Sequence, residues 1–342
     1  MKVSILVPVY GVEKYVGQCS QTLFAQTYDD IEYVFVDDCT PDNSMAVIQQ
    51  VLAEYPHREH QVRMVRHDHN RGLGAARKTA LETATGDFVL NVDSDDYLAL
   101  DAVEKLVACQ QQTGADIVSG NYSSHFEDGT IVLRPEPHLD RNTALKLMLI
   151  QHTLLPHIWA RLIRKTVYTE HGIESVEDIN MAEDMALTPR LIHAANEMAY
   201  IDDSVYYYRD DSSASTFANH LSTKHVLSYV KANEMLWQYF SMNDKKRDFL
   251  FALEIGMLNV YYQALAVGID KQQIAEILSY KPQTLMFRCL QGLLAHRQTL
   301  PLLRFVYLTV KWCYKKIVYC FFRINCRHSF KMVTLSSRMT IK

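Results

Sequence analysis

The chain has 342 residues, 48% hydrophobic and 22% charged, which is enough apolar content for one large or two modest domains around a sizeable core. Twelve glycines and nine prolines exclude collagen-like and low-complexity chains, and seven cysteines without a CxxC pair favour reduced thiols in a cytosolic chain over a disulfide framework or a zinc ribbon. The net charge of −4 hides an asymmetry: no Asp or Glu follows Glu276, so residues 277–342 carry +12 and residues 1–276 carry −16.

The opening run MKVSILVPVYG is broken by Pro8 and lacks a small-residue cleavage site, so no secretory signal is expected. Val3–Val9 is uncharged and rich in β-branched residues, which suits a strand buried on both faces. Tyr15, Val16, Cys19, Leu23 and Phe24 follow at helical spacing. A second strand is expected over 31–36, ending in the turn-forming cluster Asp37-Asp38-Cys39-Thr40-Pro41-Asp42. Asp42 or Asn43 then caps a helix over 44–54. Residues 62–65 give a third strand, 71–85 an Ala-rich helix, and 88–92 a fourth strand that runs straight into Asp93-Ser94-Asp95-Asp96. A helix over 100–112 and a strand over 117–122 complete the pattern. This alternation predicts an α/β fold with a doubly wound, mainly parallel sheet.

From about residue 143 the pattern becomes mainly helical. Glu183 and Asp184 open a helix leading into Leu191 and Ile192. A short strand over 198–201, the aromatic run Val205-Tyr206-Tyr207-Tyr208-Arg209 and a polar loop over 210–216 follow, with two or three helices over 220–280. At least one of the three tyrosines is core, because side chains alternate along a strand.

Ligands of a doubly wound sheet bind beyond the C-terminal ends of its strands. Those ends carry Pro8-Val9-Tyr10, Asp37-Asp38 and Asp93-Ser94-Asp95-Asp96. Carboxylates clustered there repel one another unless a cation or solvent relieves them, and their hard oxygens suit Mg²⁺ or Mn²⁺. The plainer reading is a solvated turn in which Asp95 or Asp96 caps the following helix. Glu183-Asp184 has the same two readings: acids that complement a helix dipole, or a general base. His57, His60, His67 and His69 lack the Cys or carboxylate partners of a tetrahedral zinc set. No P-loop, GxSxG or GxGxxG element occurs.

Taken in order, Val3-Ser4-Ile5-Leu6-Val7-Pro8-Val9-Tyr10, Val36-Asp37-Asp38-Cys39-Thr40-Pro41-Asp42-Asn43-Ser44, Asn70-Arg71-Gly72 with Ala76-Arg77, Val92-Asp93-Ser94-Asp95-Asp96, Glu183-Asp184 and Tyr206-Tyr207-Tyr208-Arg209 resemble the inverting family 2 glycosyltransferases of GT-A fold, of the bacterial surface-polysaccharide type. The resemblance covers residues 1–215 and implies a nucleotide-sugar donor, most often a UDP-sugar, with Mn²⁺ or Mg²⁺ as cofactor. It implies that Pro8, Tyr10, Asp38, Asn70, Arg77, Asp93 and Ser94 surround the nucleotide, Asp38 accepting a hydrogen bond from the base. Asp95, with Asp93, would hold the metal, and Asp184 would be the catalytic base. Glu183 would orient substrate and Arg209 would approach the diphosphate or acceptor. Two alternatives stay open: a metal-dependent nucleotidyltransferase, and a non-catalytic membrane scaffold of the same fold.

Residues 216–342 are expected to form a helical C-terminal region. Over 301–324 a helical wheel puts Leu302, Leu303, Val306, Val310, Cys313, Ile317, Phe321 and Ile324 on one face, and Arg304, Lys311, Lys315, Lys316 and Arg323 on the other with Trp312 and Tyr319. Such a basic amphipathic tail, about 301–330, reads as a membrane-surface element, or else as a core helix packed through its apolar face. Nucleic acid is not expected as a partner, since the −16 of the remaining chain opposes a polyanion. The combined expectation is a cytoplasmic enzyme, peripheral on the inner face of the cell membrane, acting on a glycan or lipid-linked acceptor.

Overall fold

A computed structural model describes residues 1–151, 153–177, 179, 181–210, 222–290 and 300–321. Most of the expected loop over 210–216, the domain boundary at 215/216 and the tail beyond residue 321 lie outside the described residues.

The elements run β1 (Val3–Val9), α1 (Val16–Phe24), β2 (Ile31–Asp37), α2 (Ser44–Ala53), β3 (Val62–Arg66), α3 (Leu73–Thr83), β4 (Phe88–Asn91), β5 (Tyr97–Leu98), α4 (Ala102–Thr113), β6 (Ile117–Phe126), β7 (Ile131–Arg134), α5 (Arg141–Leu149), β8 (Arg161–Arg164), α6 (Lys165–Thr169), α7 (Glu183–Ala194) and β9 (Met198–Asp210). Helices α8 (Thr223–Asn243), α9 (Leu250–Ala266), α10 (Lys271–Ile277), α11 (Leu285–Leu290) and α12 (Leu300–Phe321) follow. The strands form one sheet in the order β3-β2-β1-β4-β8-β6-β9-β5, with β7 added to β6. Strands β1, β2, β3, β4, β6 and β9 run the same way, and β5, β7 and β8 run against them, so the sheet is mainly parallel as expected.

Every residue of β1 and β2 is buried, which is why neither strand alternates in hydrophobicity. At the sheet edge, β3 exposes Arg63, Met64 and Arg66, charges that discourage pairing with another chain. One face of the sheet packs on α1, α2 and α4 through Leu23, Phe24, Ile48 and Leu106. The other face packs on α3, α5 and α7, and α8, α9 and α12 join the same core through Leu236, Leu253 and Leu303.

Several elements depart from the sequence-based expectation, among them the short strands β5 and β7, which were not expected. Strand β8 was not foreseen, because its four residues begin and end in arginine. Arg161 is nevertheless buried: its guanidinium donates to Glu136 at 2.6 Å and to Ser119 at 2.6 Å, partners far away in the chain. The short strand and the aromatic run expected over 198–209 are one continuous strand, β9, whose pairing with β6 shifts register around Gly120 and Asn121.

Helix α12 turns part of its expected lipid face inward. Leu303 is buried, and Val306 and Val310 pack against the core, so for these residues the core-helix reading holds; Val318, outside that face, is buried as well. Leu302, Cys313 and Ile317 remain exposed, while the Phe321 side chain and Ile324 lie outside the described residues. Among the described residues no helix is long and apolar enough to cross a membrane.

Candidate active site

Because β1, β2 and β4 are parallel neighbours, their C-terminal ends open on one side of the sheet. Pro8 is buried at the end of β1, and Tyr10 beyond it is 48% exposed. Past β2, Asp37 accepts a hydrogen bond from the Thr40 amide at 2.8 Å, which closes the turn. Asp38 is buried and reaches across to the start of α3. Its carboxylate accepts from His67 Nδ1 at 2.6 Å, from the Arg71 amide at 2.8 Å and from the Gly72 amide at 2.7 Å. Gly72 has φ 89°, a left-handed conformation that suits glycine and aims its N–H at Asp38. Three donors leave room for about one more on a carboxylate. Asn70 lies exposed on the loop that Asp38 holds.

The three acids after β4 have separate environments. Asp96 is 1% exposed and accepts from the Tyr206 hydroxyl at 2.7 Å and from the Arg209 amide at 2.7 Å. It therefore latches the β4–β5 connection to β9 and is not a helix cap, since Asp101 occupies that position of α4. Burial, with Asp95 and Asp93 nearby, raises its carboxyl well above the ordinary range. Asp95 is raised to about 6, first by the protein crowded around it and then by the charge of Asp93. Asp93 gives one oxygen to Arg77 Nη2 at 2.8 Å. Ser94 is buried between them.

Arg77, expected on the nucleotide pocket wall, is buried among the acids at the strand end. Its side chain is 2% exposed and binds three carboxylates: Asp93, Glu183 at 2.7 Å and Asp184 at 2.9 Å. Burial works against the charged guanidinium, but Asp184, Asp93 and Glu183 outweigh it and hold its pKa well above the ordinary value. The close approach depends on Gly74, where a Cβ would come within 2.1 Å of the Val176 carbonyl oxygen in the segment leading to α7. Arg77 thus ties the end of β4 to the first turn of α7, bringing together acids ninety residues apart in the chain.

Asp184 also accepts from the Ile158 amide at 3.3 Å. Burial raises its pKa most, Arg77 pulls it down, and the charges of Glu183 and Asp93 push it up, with a net rise well above the carboxylate range. One guanidinium among three carboxylates leaves the cluster net negative. Arg209, on β9, lies between the rings of Tyr15 and Tyr97, each 5.3 Å away, and donates to Gln18.

Glu183 and Asp184 line one wall of a cleft of about 700 Å³. The rest of its lining is largely apolar, including Met148, Leu154, Leu155 and Met185, and none of these was singled out from the sequence. Trp159 stands in a stack with His157 (4.1 Å between centroids), Tyr206 (4.6 Å) and Tyr208 (5.7 Å). Burial and the Arg161 charge hold His157 well below the usual imidazole pKa, so it is neutral. The alternation of Tyr206, Tyr207 and Tyr208 was the one sequence signal for this wall: Tyr206 is core, Tyr207 stacks on Tyr97, and Tyr208 faces the cleft.

Among the described residues no three side chains of ligating type gather into a complete metal site. Asp93 and Asp95 nevertheless fit a divalent cation. Arg77 engages only one oxygen of Asp93, burial and the Asp93 charge raise Asp95, and Mg²⁺-type ions are usually held by one or two carboxylates plus substrate phosphates and water.

The sequence pattern of glycosyl transferase family 2 matches residues 4–172. Residues 4–172 are a family 2 glycosyltransferase domain. The uncharacterised glycosyltransferase EpsJ of Bacillus subtilis is 29% identical over 220 residues, 63% of this chain and 62% of EpsJ. The chain thus spans a little under two thirds of that relative. Among solved structures, Staphylococcus aureus TarS 1–349 in complex with UDP-GlcNAc aligns with TM-score 0.57 at 19% identity over 92% of each chain. The mannosyltransferase PcManGT of Pyrobaculum calidifontis, in complex with GDP-Man and Mn²⁺, aligns with TM-score 0.50 at 15% identity over 92% of this chain and 86% of that one. These likenesses show the GT-A fold of the glycosyltransferase domain and its C-terminal helices.

Proposed function

We propose that the protein is an inverting glycosyltransferase that moves a sugar from a UDP-sugar to a hydroxyl of a glycan or lipid-linked glycan. The observation that carries this reading is the Asp93–Arg77–Asp184 chain. It joins the carboxylates at the sheet end, where nucleotides bind in such folds, to a carboxylate of raised pKa facing a separate cleft. UDP and UDP-GlcNAc bound to TarS support the choice of donor.

In this reading Tyr10 and Asp38 border the base, Asp38 using its remaining acceptor position, and Pro8, Asn70 and Ser94 complete the nucleotide edge. Asp95 and Asp93 would hold Mn²⁺ or Mg²⁺, which would supply Lewis acidity to the leaving diphosphate. Arg209 sits where a further positive charge meets the diphosphate or acceptor. The acceptor hydroxyl enters from the cleft, and Asp184 accepts its proton as the oxygen attacks the anomeric carbon opposite the leaving group. One displacement inverts the anomeric centre. A carboxylate whose pKa is lifted toward the working pH is a better proton acceptor than an ordinary one and still ionises in use. Glu183 and Arg77 keep Asp184 in place. The protein works at the cytoplasmic face of the cell membrane, with its C-terminal region as the membrane contact.

Calorimetry with UDP tests the donor site: binding is expected with Mn²⁺, and is expected to vanish with EDTA or in Asp95→Ala. Asp184→Asn should keep that binding while transfer falls by about 10²–10⁴-fold. Metal-independent UDP binding, or transfer unchanged in Asp184→Asn, would overturn the assignment.

A further inference from the structure

Helix α12 carries two apolar arcs. The inner one, Leu303, Tyr307, Val310, Tyr314 and Val318, packs on the core. The outer one faces away from the body: Phe305 is 66% exposed, Leu308 50% and Trp312 62%. Spacings of three and four residues stack these three on one side of the helix. Leu302 and Ile317 are exposed too, but at 100° per residue they lie outside this arc, Ile317 beside Val306 and Val310.

Cations flank this arc. At 100° per residue Arg304, Lys311 and Lys315 fall along one border and Lys316 along the other, its Nζ 5.8 Å from the Trp312 ring. No acidic residue occurs anywhere after Glu276 to offset them.

We infer that the Phe305–Leu308–Trp312 arc of α12 is a docking surface for an anionic lipid bilayer, with the helix lying in the interface plane. It deepens the membrane contact of the reading above but rests on the helix alone, independently of the donor chemistry. Large contiguous apolar patches are rarely left open on a soluble protein. An apolar centre with an interfacial tryptophan and basic borders matches the boundary between acyl chains and anionic headgroups. A second copy of the chain fits poorly, because pairing like arcs brings four cations against four. The face first read from the wheel as lipid-seeking cannot serve, since Leu303, Val306 and Val310 are committed to the core. The helix is also fixed to the catalytic body, Tyr307 donating to the Ile150 carbonyl at 3.2 Å beside the cleft residue Gln151. Docking therefore holds the whole enzyme at the surface, not a tether.

The full-length protein is sedimented with vesicles of phosphatidylcholine, alone and mixed with phosphatidylglycerol. Binding is expected only to the mixed vesicles, with a blue shift in tryptophan fluorescence that reports Trp312, because Trp159 and Trp237 are already buried. The triple variant Phe305→Ser, Leu308→Ser, Trp312→Ser should lower partitioning by about tenfold or more, with its melting temperature and UDP binding retained. Arg304→Glu with Lys316→Glu, which leaves the apolar arc intact, should abolish the preference for phosphatidylglycerol. The inference is overturned if the wild type ignores the mixed vesicles, if the triple variant binds them as the wild type does, or if the triple variant loses only a concentration-dependent self-association. Loss of vesicle binding with UDP binding intact, or the reverse, separates this inference from the donor assignment.

Discussion

Two acid-rich turns, after β2 and after β4 on either side of β1, look alike in the sequence, yet the fold treats their charges differently. The turn after β2 is largely satisfied from within. Asp42 accepts from Ser44, Thr40 and the Glu13 amide, and these bonds outweigh its partial burial and pull its pKa down to about 2. Asp38 likewise has three donors. The turn after β4, with its extension into α7, is under-neutralised: Asp95 and Asp184 are both raised, and one buried arginine serves three carboxylates. The two clusters differ not in acidity but in how many donors the fold supplies to each.

The most severe way to break that contrast is Arg77→Met. It leaves Asp93, Glu183 and Asp184 facing one another without a cation, and removing one partner of a buried ion pair costs about 3–5 kcal/mol. A large drop in melting temperature is expected, smaller as pH falls through the raised pKa of Asp184 and its charge is lost. A drop independent of pH would mean that lost packing, not charge, is the cause.

Asp184→Asn separates function from stability. A carboxyl whose folded pKa is raised contributes stability below its unfolded pKa and loses it as pH rises through the folded pKa. Under the proposed function transfer needs the ionised base, so it changes in the opposite sense and falls as pH drops through that same raised value. The variant should therefore lose transfer, match or exceed the wild type's melting temperature, and show the larger advantage at higher pH. Equal melting temperatures across the pH range would indicate that Asp184 is not raised in the folded protein.

The smallest effect is expected at the turn after β2. Asp42→Ala removes charged hydrogen bonds at a partly exposed position, a loss of about 1–2 kcal/mol. Its carboxylate contributes stability above its unfolded pKa of about 4, lost as pH falls toward 2. The difference between variant and wild type should thus shrink in acid, readable by urea unfolding at several pH values.

Strands β1, β2 and β4, the helices between them, and the acids at the strand ends were all legible in the sequence, because each depends on a local run: an apolar stretch, a turn cluster, a helical period. Glu183 and Asp184 were legible as a pair on a helix. Their connection to Asp93 was not, since Arg77 lies on a third element and its partners are set by how α3 meets the segment before α7. The apolar cleft was hidden for the same reason: its walls come from α5, the segment before β8, the start of α7, β9 and α8, and no one stretch announces it.

The sequence by itself determined the alternating α/β architecture, the placing of carboxylates at strand ends and the basic, amphipathic character of the last helix, all properties of residues close together in the chain. Only the tertiary structure decided which acids are neutralised, that Arg77 is a buried clamp between them, and which arc of α12 faces the core and which faces outward. Those outcomes depend on desolvation and on donors supplied across long sequence separations, and neither quantity exists until the chain has folded.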